Sequence, residues 1–497
     1  MRESGILMHL TSLPGPYGIG TMGKEAFGFV DFLVEAGQSY WQLLPLNPTS
    51  FGDSPYQAMS SVAGNPYLID LDALVAQGLL DRQELDSLRW CDRVDRVNYG
   101  ILYSQRYRVL RRAFDRFRPD ASYQNFCQEN QDWLADYCLF MALKEKNNGA
   151  PWICWPQGEK HRHPGTLEAL RSQLSDTMAF HSFLQYLFFQ QWHALRRYAR
   201  EKGIQFIGDV PIYVPLDSVD VWREPQLFQL DEEGNPTVVA GCPPDAFTAD
   251  GQLWGNPIYN WEAMEQQGFS WWLRRLRAAS RMYDVVRLDH FRGLESYWQV
   301  PAGEKTARNG RWVQGPGHAI VHAIQDGLPG LRFIAEDLGY ITPQVRQLLE
   351  ASGYPGMKVL QFAFDSREES NYLPHLYEAN SVCYTGTHDN PPLAQWLQEL
   401  PQEDLAMAKA YLGLSQEEGY IWGLLRGGMS SVSQLFLAQI QDYLELGDQA
   451  RMNIPGLLSP VNWSWRAEPG FDSPALAVRI RAMTKLYGRL PEKNTQY

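Results

Sequence analysis

Apolar and polar positions divide the chain into short hydrophobic runs separated by longer stretches of helical period. The runs are rich in β-branched and aromatic residues, and many end in Gly, Pro, Asp or Asn, as buried strands closed by turns do. In order they cover residues 5–13, 40–46, 204–214, 283–293, 331–339, 357–364, 382–390 and 452–458. Helical period marks 27–35, 271–282 and 342–352, the last with Pro343 just inside its start. About eight strands alternating with helices predict an α/β fold, a (β/α)8 TIM barrel. A doubly wound open sheet is the structural alternative. It calls for a Gly-rich phosphate turn after the first strand, which Gly15-Pro16-Tyr17-Gly18 does not supply.

Two spacings exceed those of a minimal barrel. Residues 56–180, after the second strand, read as a mostly helical insertion, within which Pro151, Trp152, Trp155, Pro156 and Pro164 mark a rigid aromatic loop. Residues 215–265, after the third strand, are rich in Gly, Pro and Asp and read as an irregular, loop-rich insertion. Residues 1–55, 181–214 and 266–497 are left to the barrel. Because both insertions follow strands, both are expected over the carboxyl-end mouth, lining the cleft where such barrels bind ligands.

Composition narrows the function. With 44% hydrophobic and 20% charged residues among 497, the chain can bury a large core, which excludes global disorder. Lys and Arg number 44 against 57 Asp and Glu, a net charge of -13 whose field disfavours nucleic acid and anionic membrane surfaces as partners. Six cysteines with no C-x-x-C spacing suit reduced thiols in the cytoplasm better than a disulfide or zinc framework. No run of eighteen apolar residues occurs, and Met1-Arg2-Glu3-Ser4-Gly5 does not open a secretory leader, so a soluble, unexported chain is expected. The 17 Trp, 25 Tyr and 22 Phe fit either a rich core or flat platforms for uncharged sugars, and composition leaves both readings open.

Candidate chemistry lies where the predicted strands end. The third runs Phe206-Ile207-Gly208-Asp209, the fourth Val285-Val286-Arg287-Leu288-Asp289-His290, the fifth Phe333-Ile334-Ala335-Glu336, and the seventh leads into Thr387-His388-Asp389-Asn390. Strand side chains alternate faces, so Arg287 and Asp289 point the same way, and the guanidinium favours an ionised Asp289. Converging acids with an Arg and a His suggest glycosyl transfer or hydrolysis, in which one carboxylate attacks the anomeric carbon and one carboxylic acid protonates the leaving oxygen. Each acid alone could instead cap a following helix. Metal binding is a further alternative, but no H-x-H or H-E-x-x-H spacing occurs.

Three strings, Arg287–Gly293, Ala335–Gly339 and Thr385–Asn390, resemble the catalytic motifs of the 4-α-glucanotransferases, also called amylomaltases or disproportionating enzymes, of the α-amylase superfamily. Leu10-Thr11-Ser12-Leu13-Pro14, Asp53-Ser54-Pro55-Tyr56-Gln57, Gly241-Cys242-Pro243-Pro244-Asp245, Leu253-Trp254-Gly255-Asn256-Pro257 and Asn462-Trp463-Ser464-Trp465-Arg466 extend the resemblance along nearly the whole chain. It implies a cytoplasmic transferase acting on α-1,4-glucans and maltooligosaccharides without metal or cofactor, as a monomer or homodimer. Asp289 is implied as nucleophile, Glu336 as general acid then base, and Asp389 with His388 as ligands of the distorted donor sugar. Arg287 and Asp209 support the donor site, while Trp254, Tyr56, Ser54 and Asp245 contact glucan; Trp463 and Trp465 are assigned to packing. Two positions depart from the family pattern, Pro391-Pro392 after the seventh strand and Leu376. The same acids also fit an α-glucan hydrolase, and an inactive carbohydrate-binding barrel is the reading from another class.

Overall fold

The computed structural model describes residues 2–244, 249–367 and 370–491. Eight short strands close into a parallel barrel: β1 (Glu3–Leu7), β2 (Tyr40–Gln42), β3 (Gln205–Val210), β4 (Val285–Leu288), β5 (Arg332–Ala335), β6 (Gly356–Val359), β7 (Ser381–Tyr384) and β8 (Leu435–Gln439). Sequential strands are neighbours throughout, and β8 pairs back onto β1. Alternation along each strand divides the core in two. Ile207, Val285, Ile334, Met357, Val382 and Leu435 fill the interior, whereas Phe206, Val286 and Phe333 join the layer packed under the helices.

The helices expected at 27–35, 271–282 and 342–352 are observed as Lys24–Glu35, Ser270–Met282 and Pro343–Ser352. Thr342 caps the last of these, accepting the Val345 N–H, with Pro343 at the position that needs no donor. Between β2 and β3 the chain is mainly helical and ends in the 27-residue helix Ser175–Glu201. That helix brings Trp192 onto Phe206 at 4.8 Å between ring centroids, anchoring the excursion to the outer face of β3.

Two expectations are corrected. The run 452–458 forms no strand: Pro455 offers no ladder donor, Gly456 turns the chain at φ 74, and Leu457 and Leu458 stay exposed. The eighth strand is Leu435–Gln439, buried along its whole length, so it shows no alternation, and its apolar run continues into Ile440 without a boundary. Residues 215–265 are also not simply irregular. Val238–Cys242 and Gln252–Pro257 pair antiparallel, and Ser296–Pro301 and Arg311–Gln314 complete a four-stranded sheet. Residues 296–314, allotted to the barrel by sequence, therefore belong to that sheet, whose pairings span distances along the chain that no local period reports.

Gly208, beside Asp209 in β3, lies under the ring of Tyr283, where an added Cβ falls 2.1 Å from a ring carbon. Gly208→Ala is expected to cost about 1–3 kcal/mol by overpacking. Thermal unfolding of the variant, with a clear drop in Tm, checks this; an unchanged Tm means the ring moves aside freely.

Candidate active site

The inward-facing positions of the barrel continue upward into polar residues. Ile207 is followed two residues on by Asp209, Val285 by Arg287 and then Asp289, and Ile334 by Glu336, all on the interior side. Register then sets the neighbours. Asp209 stands opposite Arg287, and Leu288 opposite Ala335, so Asp289 and Glu336 emerge side by side at the rim of adjacent strands. The Glu336 N–H donates to the Leu288 carbonyl at 3.0 Å, extending the ladder to that point.

One guanidinium nitrogen organises the acids. Arg287 Nη1 donates to Asp209 Oδ2 at 2.6 Å and to Asp289 Oδ1 at 2.8 Å. Asp209 and Arg287 are buried, while the Asp289 side chain remains 26% exposed and open to a ligand. The Tyr56 hydroxyl donates to the same Asp209 oxygen at 2.7 Å and lies 3.4 Å from His388 Nδ1. The Tyr56 and His388 rings stack at 5.0 Å, and Trp463 packs against both. His388 Nε2 stands 3.3 Å from Asp389 Oδ1. A continuous polar chain therefore crosses the mouth from Asp389 through His388, Tyr56, Asp209 and Arg287 to Asp289.

Glu336 is built differently. Its carboxyl accepts the His290 N–H at 2.7 Å and the Leu338 N–H at 2.8 Å, which fix its orientation. Burial pushes its pKa up to about 7, against the pull of Arg287 and of those two donors, with the Asp289 carboxylate adding to the rise. Burial likewise raises Asp209, opposed by Arg287. It holds the Tyr56 hydroxyl well above its usual range, so Tyr56 stays a neutral donor. His290 adopts a left-handed conformation, φ 53, and burial lowers its imidazole to about 4, leaving it neutral. Trp254 meets this ring edge-on at 4.9 Å and bonds Gln252 through its indole nitrogen.

Asp389 is held by two residues that no motif singles out. Asn453 Nδ2 donates to Asp389 Oδ1 at 2.6 Å, and Arg451 Nη2 to the Asp389 carbonyl at 2.8 Å. Arg451 Nε also donates to the Asn453 carbonyl, which binds the two holders together. The Asn followed by Pro455-Gly456 was the available signal of a loop with a polar task. Removing a hydrogen bond to a charged group costs about 1.5–3 kcal/mol. Asn453→Ala is accordingly expected to lower kcat by about 10- to 100-fold, with Tm little changed; steady-state rates and a melt together check it.

The remaining sequence candidates are placed as follows. The Ser54 hydroxyl accepts the Tyr56 N–H at 3.2 Å and so shapes the turn that presents Tyr56. Asp245 lies outside the described residues. Trp463 and Trp465 are buried, in keeping with packing. The Pro391 carbonyl accepts Gln361 Nε2, and Pro392 precedes the helix Leu393–Glu399, while Leu376 is exposed. Among the described residues no group of three His, Cys, Asp or Glu side chains is placed to hold a metal, and no helix is long and apolar enough to cross a membrane.

A closed parallel barrel that sets a guanidinium-paired carboxylate beside a carboxyl group with a raised pKa, on adjacent strand ends, defines an enzyme of glycosidic-bond chemistry. Residues 8–472 match the family described as 4-alpha-glucanotransferase, and the chain belongs to it. The 4-alpha-glucanotransferase of Clostridium butyricum is 46% identical over 486 residues, covering 97% of this chain and 100% of that protein. That of Thermus thermophilus is 47% identical over 502 residues, 98% and 99% of the two. The solved amylomaltase of Streptococcus agalactiae, in complex with acarbose, superposes with a TM-score of 0.96 at 40% identity, covering 99% of this chain and 100% of its own.

Proposed function

We propose that this site transfers a segment of an α-1,4-glucan to the 4-hydroxyl of an acceptor glucan or glucose by a retaining double displacement. Asp289 attacks C1 of the donor sugar while Glu336 gives its proton to the departing O4, forming a covalent glycosyl-enzyme. Glu336, now a carboxylate, takes the proton of the acceptor 4-hydroxyl as its oxygen attacks C1 and Asp289 departs. Supporting this division of labour is the contrast between the two neighbours, one paired with Arg287 and the other buried with its pKa raised to about 7. Asp389 and His388 bind hydroxyls of the distorted donor sugar, Arg287 and Asp209 hold Asp289 in place, and Trp254 lines an acceptor subsite beside His290.

Maltooligosaccharides are the substrates this reading carries over, in line with the acarbose complex of the Streptococcus agalactiae amylomaltase. The unpaired spacing of the six cysteines favours the cytoplasm as the place of action. Transfer over hydrolysis requires a positioned acceptor and exclusion of water from the intermediate. Incubating the pure protein with maltotriose tests it. Longer oligomers and glucose at a constant number of reducing ends are expected, whereas reducing ends rising throughout would mark a hydrolase.

A further inference from the structure

Away from the carboxylates, a cavity of about 90 Å³ lies between the segment after β2, the segment after β3 and the helix Ser270–Met282. Five arginines line it against three acids, Asp132, Asp220 and Glu224, and one of the five, Arg223, pairs with Asp136 outside the lining at 3.2 Å. Arg274, Arg277 and Arg281 follow one another at helical spacing along a single helix, where like charges repel. Most of the acidic groups are already committed. Glu224 accepts Arg274, and Asp220 accepts the Ser61 N–H and hydroxyl at 2.8 and 2.6 Å.

The cations are not all satisfied. Arg275, 5% exposed, donates from Nη1 to the Ile212 carbonyl and the Tyr259 hydroxyl, but its Nε is buried with no protein partner. Its guanidinium also lies over the Trp271 and Trp272 rings, 5.6 and 5.2 Å from their centroids, so Arg275 is a fixed part of the cavity wall. Arg277 and Arg281 are exposed and make no side-chain hydrogen bond or ion pair among the described residues.

We infer that this cavity binds a phosphoryl group, as inorganic phosphate or as the phosphate of a small monoester. Guanidinium forks match phosphate oxygens bidentately, and a phosphate monoester near neutral pH carries close to two negative charges, which suit Arg277 and Arg281, the lining arginines without a protein partner among the described residues. The field of the whole chain that repels polyphosphates does not decide a site of this size, where the nearby arginines dominate within a Debye length. The cavity shares no residue with the carboxylate site, but its wall includes Ser60 and Ser61, just past Tyr56, and the helix that leads into β4. A bound phosphoryl group therefore ties together two segments that each deliver a residue to the mouth.

Titrating the full chain with inorganic phosphate, and separately with glucose 1-phosphate, followed by ³¹P NMR and calorimetry, tests the inference. Saturable binding of at least one probe is expected. The double variant Arg277→Gln/Arg281→Gln should weaken it by about tenfold or more, as loss of charge-assisted contacts implies, while transferase activity without phosphate and unliganded Tm stay unchanged. Equal affinity for both probes assigns the site to the phosphoryl group alone, and tighter glucose 1-phosphate assigns it to a monoester. No saturable binding of either probe, or binding that the double variant leaves intact, overturns the inference.

Discussion

Asp289→Asn is expected to lower turnover on maltotriose by on the order of 10⁴-fold or more, with glucan affinity retained. The amide keeps the shape of the carboxylate but cannot form a glycosyl ester that water or sugar resolves. The fold should survive, because Arg287 keeps its shorter contact to Asp209 and is not left as an unpaired buried cation. Binding measured by calorimetry, beside turnover, separates the two effects. A variant with wild-type turnover would remove Asp289 from the mechanism, and one that loses binding and turnover together would recast it as a binding residue.

Glu336→Gln should lose about 10²- to 10⁴-fold on glucan donors, the range for a missing general acid. A donor whose leaving group needs no proton, such as α-glucosyl fluoride, should largely recover the first step; equal loss on both donors argues against proton donation. The pH dependence has a defined sign. The free enzyme needs Glu336 protonated, so kcat/KM should fall as pH rises through about 7, and the variant should lack that limb. Stability follows the same linkage. With a folded pKa of about 7 against an ordinary 4.5, the unfolded chain loses this proton first, so the folded state loses stability as pH rises between those values. Across that window the wild type should lose up to about 3 kcal/mol relative to the Gln variant, whose own cost from facing two backbone donors does not vary with pH. Chemical denaturation of both proteins at pH 5 and 8 reads this directly, and a constant difference would show that burial does not control the group.

The carboxylates were legible because a barrel strand announces its own end. An apolar run such as Phe333-Ile334-Ala335 stops where the strand leaves the core, and the first ionisable residue after it stands at the mouth. Glu336 follows this rule directly; Asp209 and Arg287 stand within the last residues of their strands, Asp289 just past the end of its own, and period two puts Arg287 and Asp289 on one face. The eighth strand broke the reading for the opposite reason: buried on both faces and followed directly by Ile440, it carries no period to recognise. The segment 452–458, whose apolar pattern predicts a strand, supplies Asn453 to Asp389 instead.

What the sequence determined by itself was the first seven barrel strands, their alternation with helices and the residue types at their ends, since these are written in periods a few residues long. Only the tertiary structure decided which groups meet. The Tyr56–Asp209 hydrogen bond joins residues 153 positions apart, and the Asp389–Asn453 bond joins residues 64 apart. The raised pKa of Glu336 likewise comes from the burial and charges that closing the barrel assembles around it. Such contacts depend on chain closure and strand register, which no local pattern encodes, and they set four acids at strand ends in distinct environments.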